Sequence, residues 1–282
     1  MILVTGPTGK IGQALVAALQ AKGAAFKALA RSDASAKALE AQGVAIVRGD
    51  LADLGPDLKG VDTLFLLSAS ADPFPAEAPA VAAARAAGVK RIVKLSAFGA
   101  QADSANGFFR GHARVERLLE ESGLEWTSLR PSFFMQNWVL YNAPAIKAGQ
   151  PVYANAGDAR LGWIDTRDIA AAAVVALTED GHQGRIYELT GPEPLSYAQV
   201  TAKLSKLLGR EVAYVAVPDQ GAYQAMVGMG IPPDYAWSLT TLNQAVRRGV
   251  ADASTDGVAF LTGQAPRSMD AFLQEHLAAF QG

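Results

Sequence analysis

Thr5-Gly6-Pro7-Thr8-Gly9-Lys10-Ile11-Gly12 stands between an apolar run, Met1-Ile2-Leu3-Val4, and a segment rich in alanine and leucine that begins at Ile11. The short apolar run reads as a strand and the apolar spacing after it as a helix, so the glycines occupy a strand-to-helix turn. In that context a GxxGxxG arrangement suits a dinucleotide. Gly6 permits the tight turn. Gly9 lacks the Cβ that would hold a pyrophosphate off the backbone, and Gly12 lets the helix pack closely on the strand. The helix start adds free N–H groups and the positive end of the peptide dipoles, both of which favour an anion. Without the flanking strand and helix, the same glycines would mark only a turn.

The alternation repeats downstream. Short β-branched runs at 2–4, 26–30, 45–47, 63–67 and 91–95 alternate with helical stretches at 11–21, 34–41, 76–87 and 109–121, and a sixth strand follows at 126–129. Near-continuous apolar strands separated by helices predict an α/β fold, a Rossmann-type doubly wound parallel sheet with ligands at the carboxyl ends of its strands. After Arg130-Pro131 the pattern loosens and aromatics become frequent. A strand-like 162–164 leads into a helix at 168–177 and a strand at 185–189, and the tail from Ser196 is mostly helical, with breaks at 211–217 and 228–233. The expected organisation is a dinucleotide-binding core over 1–131, completed by elements within 160–190. A smaller, mostly helical C-terminal substrate lobe, 132–282, is interleaved with it.

Composition excludes several chemistries. Among 282 residues, 25 Lys and Arg face 27 Asp and Glu, a net charge of −2, so no surplus of positive charge is available to neutralise nucleic-acid phosphates. There is no cysteine, which excludes disulfides, thiolate nucleophiles and iron–sulfur clusters. The three histidines, His112, His182 and His276, are too far apart for a zinc helix, and no metal site is expected. The longest apolar stretch, 169–177, is under half the length a bilayer needs. No basic region, apolar segment and cleavage site precede the first strand, so a cytoplasmic protein without a signal peptide is expected.

The second strand selects between nicotinamide cofactors. NAD binders place an acidic residue about 20 residues past the glycines, on the ribose 2′-hydroxyl. Here the strand ends Ala28-Leu29-Ala30-Arg31-Ser32. Arg31 suits a 2′-phosphate through charge-assisted bonds, with Lys10 near enough in the turn to help, so NADP is expected. Asp33, two residues on, is the competing candidate for a ribose hydroxyl.

These residues resemble a known family. With them go Gly49-Asp50-Leu51 after the third strand, Ser96-Ala97-Phe98-Gly99 after the fifth, and Ser122-Gly123-Leu124-Glu125-Trp126-Thr127-Ser128-Leu129-Arg130-Pro131. Together they resemble atypical short-chain dehydrogenases of the NmrA-like type, above all the flavin-free NAD(P)H:quinone oxidoreductases and triphenylmethane-dye reductases. The resemblance runs from residue 1 to about residue 195, through Gly162-Trp163-Ile164-Asp165-Thr166-Arg167-Asp168-Ile169-Ala170, and is looser in the helical tail. It implies that Thr8, Gly9, Lys10 and Ile11 hold the pyrophosphate, Arg31 the 2′-phosphate, and Asp50 and Leu51 the adenine. Ser68, Ala69 and Ser70 would border the adenosine ribose and pyrophosphate. Ser96, Pro131 and Phe133 would sit beside the nicotinamide. Asp50 and Ser68 also suit plain helix caps.

The chain departs from the carbonyl-reducing members of the wider group. Those place a Tyr-x-x-x-Lys pair on the helix after strand five, and the equivalent positions here are Phe108 and His112. Phenylalanine has no proton to give. His112 can hydrogen-bond a ribose hydroxyl and, with a reference pKa of about 6.5, can donate a proton. His112 and Ser96 are therefore the catalytic candidates, and alcohol–ketone chemistry is not expected.

A quinone suits this deficit, because it aromatises on accepting hydride and needs little acid assistance. A flat acceptor wants aromatic walls, and Phe134, Trp138, Tyr141 and Tyr153 follow Pro131. Asn137, four residues after Phe133, is expected on the same helical face, within reach of an acceptor oxygen; helical spacing of these aromatics equally suits a plain core. The small-residue stripe 170–173 with Val174 and Val175 suggests tight helix packing of the kind a homodimer contact uses. Asp168 reads as a helix cap and Arg130 as half of a structural ion pair. Two readings follow: an NADPH-dependent reductase of planar acceptors without flavin, or a non-catalytic NADP-binding redox sensor of the NmrA type. A sugar-nucleotide epimerase shares the glycine turn but needs the missing tyrosine.

Overall fold

In a computed structural model that describes residues 1–281, nine strands and eleven α-helices follow one another. The strands are β1 (Ile2–Val4), β2 (Phe26–Ala30), β3 (Ile46–Arg48), β4 (Thr63–Leu66), β5 (Arg91–Leu95), β6 (Glu125–Pro131), β7 (Val152–Ala154), β8 (Arg185–Leu189) and β9 (Tyr214–Ala216). The helices are α1 (Lys10–Lys22), α2 (Asp33–Glu40), α3 (Phe74–Ala86), α4 (Gly107–Glu121), α5 (Ala143–Lys147), α6 (Thr166–Thr178), α7 (Tyr197–Leu208), α8 (Asp219–Gly228), α9 (Pro233–Arg247), α10 (Gly257–Thr262) and α11 (Met269–Glu275). Seven strands form one sheet in the order β3-β2-β1-β4-β5-β6-β8. The order reverses at β1, which pairs in parallel with both β2 and β4 (Val4 opposite Ala28 and Phe65), and this reversal is the switch point where such sheets bind ligands.

The middle strands are mostly apolar because helices cover both faces. Leu3, Val4, Leu64, Phe65, Leu66, Ile92 and Val93 are all fully buried. On one face α1 packs along α6. Ala170, Ala172 and Ala173 of α6 are buried, which lets the two helices approach closely. The small-residue stripe read as a subunit contact is thus consumed inside the fold, and this corrects that expectation. The α3 and α4 helices close the other face over Leu3, Leu64, Leu66 and Ile92.

The turn after β1 is fixed by a hydroxyl and two glycines. Thr5 Oγ1 lies 3.0 Å from the Phe65 carbonyl and 2.9 Å from that of Leu67, and accepts the Leu67 N–H at 2.8 Å. It thereby ties the end of β1 to the end of β4. Gly6 has φ +60°, in the region that favours glycine. A Cβ at Gly12 would collide with the Gly6 carbonyl and lie 2.7 Å from Pro7 Cα. The close approach that Gly12 permits is therefore to the turn itself, where packing on the strand was expected.

Two compact units result. The first holds 1–131, 166–188 and 260–263; the second holds 132–165, 189–259 and 264–282. In the second, β7 and β9 form a parallel pair that the sequence did not signal as such, with Tyr153 opposite Val215. Its centre is an aromatic cluster in which Trp138, Trp163 and Tyr197 contact one another with ring centroids 5.2–5.7 Å apart. Asn155, Gln244 and Arg247 all donate to the Asp219 carboxylate at 2.8–3.0 Å, with Arg247 bidentate, and join β7's exit to α8 and α9. No helix among the described residues is long and apolar enough to cross a membrane.

The Gly12 contact yields a test. Gly12→Ala should lower stability by about 1–3 kcal/mol, the range for overpacking a tight site, read as a shift of the urea midpoint. An unchanged midpoint would show that the turn gives way freely.

Candidate functional site

The N-terminus of α1 is an open cradle. Gly9 is its cap residue and has no side chain to bond the first helical N–H groups, and no acidic residue lies in the first turn. Those N–H groups have no partners within a helix. Beyond the Gly6 carbonyl at 3.5 Å, nothing lies where a Cβ at Gly9 would stand. Thr8 and Gly9 are exposed and Lys10 is half-exposed, while Ile11 and Gly12 are buried under the turn. A helix N-terminus, open space and no competing carboxylate suit a pyrophosphate.

The exit of β2 separates the two competing residues. Ser32 caps α2 in a reciprocal box with Ser35. Asp33 opens that helix and is ion-paired to Arg48 at the end of β3. Arg31 is exposed and makes no hydrogen bond or ion pair among the described residues. A cation is thus left available where a 2′-phosphate would lie, and the rival carboxylate is engaged. Asp50 is exposed and caps the turn after β3, accepting the Ala52 N–H at 3.0 Å, with Leu51 half-buried beside it. Ser70 bonds the Asp72 carbonyl at 2.8 Å, and Ala69 is exposed between the two serines.

Behind the β4 loop lies a cluster that sequence reasoning missed. Glu77 of α3 and Lys94 of β5 are both fully buried, with Lys94 Nζ 2.9 Å from Glu77 Oε2. Glu77 Oε1 accepts from the Ser68 N–H at 3.1 Å and the Ser68 hydroxyl at 2.7 Å. Lys94 Nζ also bonds the Leu95 carbonyl and stands 3.1 Å from His112 Nδ1. Burial pushes the Glu77 carboxyl up and the Lys94 amine down, each towards its neutral form, and their mutual attraction opposes this. The Ser68 hydroxyl, expected beside a ribose, is instead taken by Glu77.

His112 is 3% exposed, and the ring of Phe108 packs edge-on against it with centroids 4.5 Å apart. Burial first, then the charges of Lys94 and Arg130, hold its imidazole well below the ordinary 6.5. The ring is thereby held towards its neutral form, in which His112 offers an N–H.

One turn along α4, Glu116 Oε1 accepts from Ser128 at 2.6 Å and from Arg130 Nε at 2.9 Å, and Oε2 from Arg130 at 2.5 Å. Burial alone would raise Glu116, but Arg130 and Ser128 outweigh it and hold the carboxyl below its ordinary 4.5. Arg130 is thus the structural partner the sequence suggested. The Ser96 hydroxyl is buried near this carboxylate without a hydrogen bond of good geometry, and Pro131 closes β6 with its carbonyl accepting the Phe98 N–H at 3.0 Å.

The second unit redistributes the expected aromatic walls. Phe133 and Phe134 continue as extended chain, with Phe134 bridged to Ile164 in parallel, and the chain turns helical only after Met135. Phe133 and Asn137 therefore do not share a helical face. Residues Trp138–Asn142 form a wider π-helical turn, which displaces the spacing read from the sequence. Trp138 is completely buried, its ring edges taken by Trp163 and Tyr197. It is a core residue, which corrects its assignment to an acceptor. Tyr141 and Tyr153 are 69% and 58% exposed, and Phe134 and Asn137 are half-buried.

One signal for the missed cluster was present. In Arg91-Ile92-Val93-Lys94-Leu95 a lysine sits inside an otherwise apolar buried strand, and a buried lysine needs a counter-charge. Nothing in the sequence named Glu77 as that charge. Among the described residues no group of three or more His, Asp or Glu could hold a metal.

Comparison with known proteins agrees with this geometry. The profile of the NmrA-like family matches residues 1–257. An NAD(P)H azoreductase of Xenophilus azovorans is 40% identical over 284 aligned residues, 99% of each chain. Among solved structures, the NADPH-dependent quinone oxidoreductase of Escherichia coli complexed with NADPH superposes with a TM-score of 0.88 at 30% identity, over 98% of this chain and 100% of that one. The triphenylmethane reductase of Citrobacter sp. complexed with NADP(H) gives 0.86 at 26% identity, over 97% and 99%.

The Glu116–Arg130 pair carries a pH dependence. A carboxyl depressed in the folded state stabilises it in full above the unfolded value, and that stabilisation is lost as pH falls through the folded value. Urea midpoints taken from neutral pH down to about pH 3 should therefore fall in the native protein below the ordinary value of 4.5. Glu116→Gln should be less stable by about 3 kcal/mol at neutral pH, as for a broken buried pair, and show a shallower acid slope. Equal slopes would remove Glu116 from the acid response.

Proposed function

The chain belongs to the NmrA-like family, and we propose that it is an NADPH-dependent reductase that passes hydride directly to a quinone or a similar planar conjugated acceptor, without flavin. The observation that carries this reading is the pairing at the end of β2: Arg31 unengaged and exposed, Asp33 held by Arg48. Structures similar to this one include complexes with NADPH and NADP(H), and its relatives include an azoreductase and a quinone oxidoreductase.

In this reading Gly6 turns the chain so that the N–H groups of Lys10, Ile11 and Gly12 face the pyrophosphate, with Thr8 and Gly9 beside them and Arg31 on the 2′-phosphate. Asp50 and Leu51 flank the adenine. Ala69 and Ser70 border the ribose, with Ser68 positioned through Glu77. Ser96, Pro131 and Phe133 flank the nicotinamide, and Phe134, Asn137, Tyr141 and Tyr153 serve the acceptor. When bound, the reduced nicotinamide supplies the hydride; with one proton from water, a quinone that accepts it leaves as the hydroquinone. The chain's own task is to orient the reactants and exclude water. A neutral His112 suits this chemistry, because the acceptor draws no proton from a protein acid.

NADPH oxidation followed by absorbance, with a small panel of quinones, azo dyes and triphenylmethane dyes, tests the reading. Turnover with at least one acceptor is expected. Tight NADPH binding with no turnover on any of them would replace the enzyme by the sensor. Arg31→Ala should weaken NADPH about 10- to 100-fold, the range of a lost hydrogen bond to a charged group, and leave NADH almost unchanged. Equal losses would remove the 2′-phosphate contact.

A further inference from the structure

The ammonium of Lys94 has three N–H donors, no acceptor and three neighbours that accept. They are the Glu77 carboxylate, whose Oε1 accepts at 3.3 Å while Oε2 completes the ion pair, the Leu95 carbonyl and His112 Nδ1 at 3.1 Å. Its donors are matched one for one, so Nδ1 is the accepting nitrogen and the His112 proton sits on Nε2. Nε2 lies across the ring, away from Lys94, and makes no hydrogen bond among the described residues. Within a ring that is only 3% exposed, Nε2 is not sealed in the interior, so an oxygen from outside the fold can reach it.

We propose that Lys94 is a positioning residue that locks His112 as the Nε2–H tautomer, so that a neutral imidazole donates Nε2–H to an oxygen of the bound dinucleotide or of its acceptor. The ligand half of this rests on the reductase reading above; the tautomer does not. The same Glu77 carboxylate that holds Lys94 also holds the backbone and hydroxyl of Ser68. A single buried chain, Ser68–Glu77–Lys94–His112, thus sets both the loop after β4 and the donor on α4. Lys94 from β5 and Arg130 from β6 act on the ring, and Glu77 from α3 and Glu116 one turn along α4 act on Lys94 behind it. The two cations among them oppose a charge on the imidazole, which keeps His112 a donor of constant form.

Long-range 1H–15N correlation spectra of the full-length protein read the tautomer directly, and His112→Gln identifies the His112 signals among three histidines. The Nε2–H pattern is expected, unchanged from about pH 8 down to about pH 6, a range across which a free imidazole becomes mostly charged. Lys94→Met combined with Glu77→Gln removes both charges and keeps an acceptor for Ser68. In that variant the His112 signals should show mixed tautomers and titrate nearer neutral pH, and kcat/KM should fall about tenfold or more. A dominant Nδ1–H pattern in the native protein, or an unaltered tautomer in the folded double variant, would overturn the role of Lys94. If the double variant does not fold, the native spectrum alone decides. Two titrations then locate the oxygen. A shift of the Nε2 signal on adding NADP+ alone assigns it to the dinucleotide; a shift only when menadione joins NADP+ assigns it to the acceptor. No shift with either would overturn the ligand half, and with it the place of His112 in the proposed site, whatever the tautomer.

Discussion

Neighbouring parallel strands cannot be joined by a tight turn, so every parallel pair in this sheet is closed by a connection that crosses one of its faces. The direction of those crossings reverses once, and the reversal falls on β1 and its neighbours β2 and β4. The chain that leaves β1 therefore enters a crevice between two diverging crossings. Thr5 ties β1 to β4 at that point, and Gly6 and Gly12 fold the turn back on itself so that α1 begins with its N-terminus at the crevice. The anion-binding cradle is a consequence of that strand order rather than an addition to it.

Covering both faces has a second consequence. A strand buried on two sides has no route to water for a charged side chain, yet Lys94 lies in the middle of β5. The ammonium is kept only because Glu77, the Leu95 carbonyl and His112 converge on it from three different segments. The Glu116–Arg130–Ser128 group repeats the same solution one strand over. These two networks lie in the unit that also carries the cradle, and they make the helices α3 and α4 electrostatic partners of the sheet as well as its apolar cover.

The order of strands and helices was legible because each strand is short, apolar and bounded by turn residues, and each covering helix has its own apolar spacing. The glycine turn was legible because its flanks were. The region after Pro131 was not. Its aromatics carry helical spacing, but Phe134 is drawn into a bridge with Ile164 and the following turn widens at Trp138–Asn142, so spacing along the chain no longer reports facing. Trp138 shows the effect: an aromatic two turns past a strand end reads equally as pocket wall or core, and only the rings of Trp163 and Tyr197 decide for core. Tyr153 reads as a loop aromatic until β9, more than fifty residues later, pairs with its strand.

By itself the sequence determined the doubly wound sheet, the glycine turn between β1 and α1, the cation at Arg31 and the phenylalanine at position 108, because each of these rests on residues close together in the chain. The tertiary structure alone decided the state of His112. Its neutrality depends on burial and on Lys94 and Arg130, which stand on strands 18 residues before and after it, and on Glu77 behind them. Local spacing carries turns and periodicity. A side chain's charge is set by whatever the fold brings within a few ångströms of it, which no local pattern records.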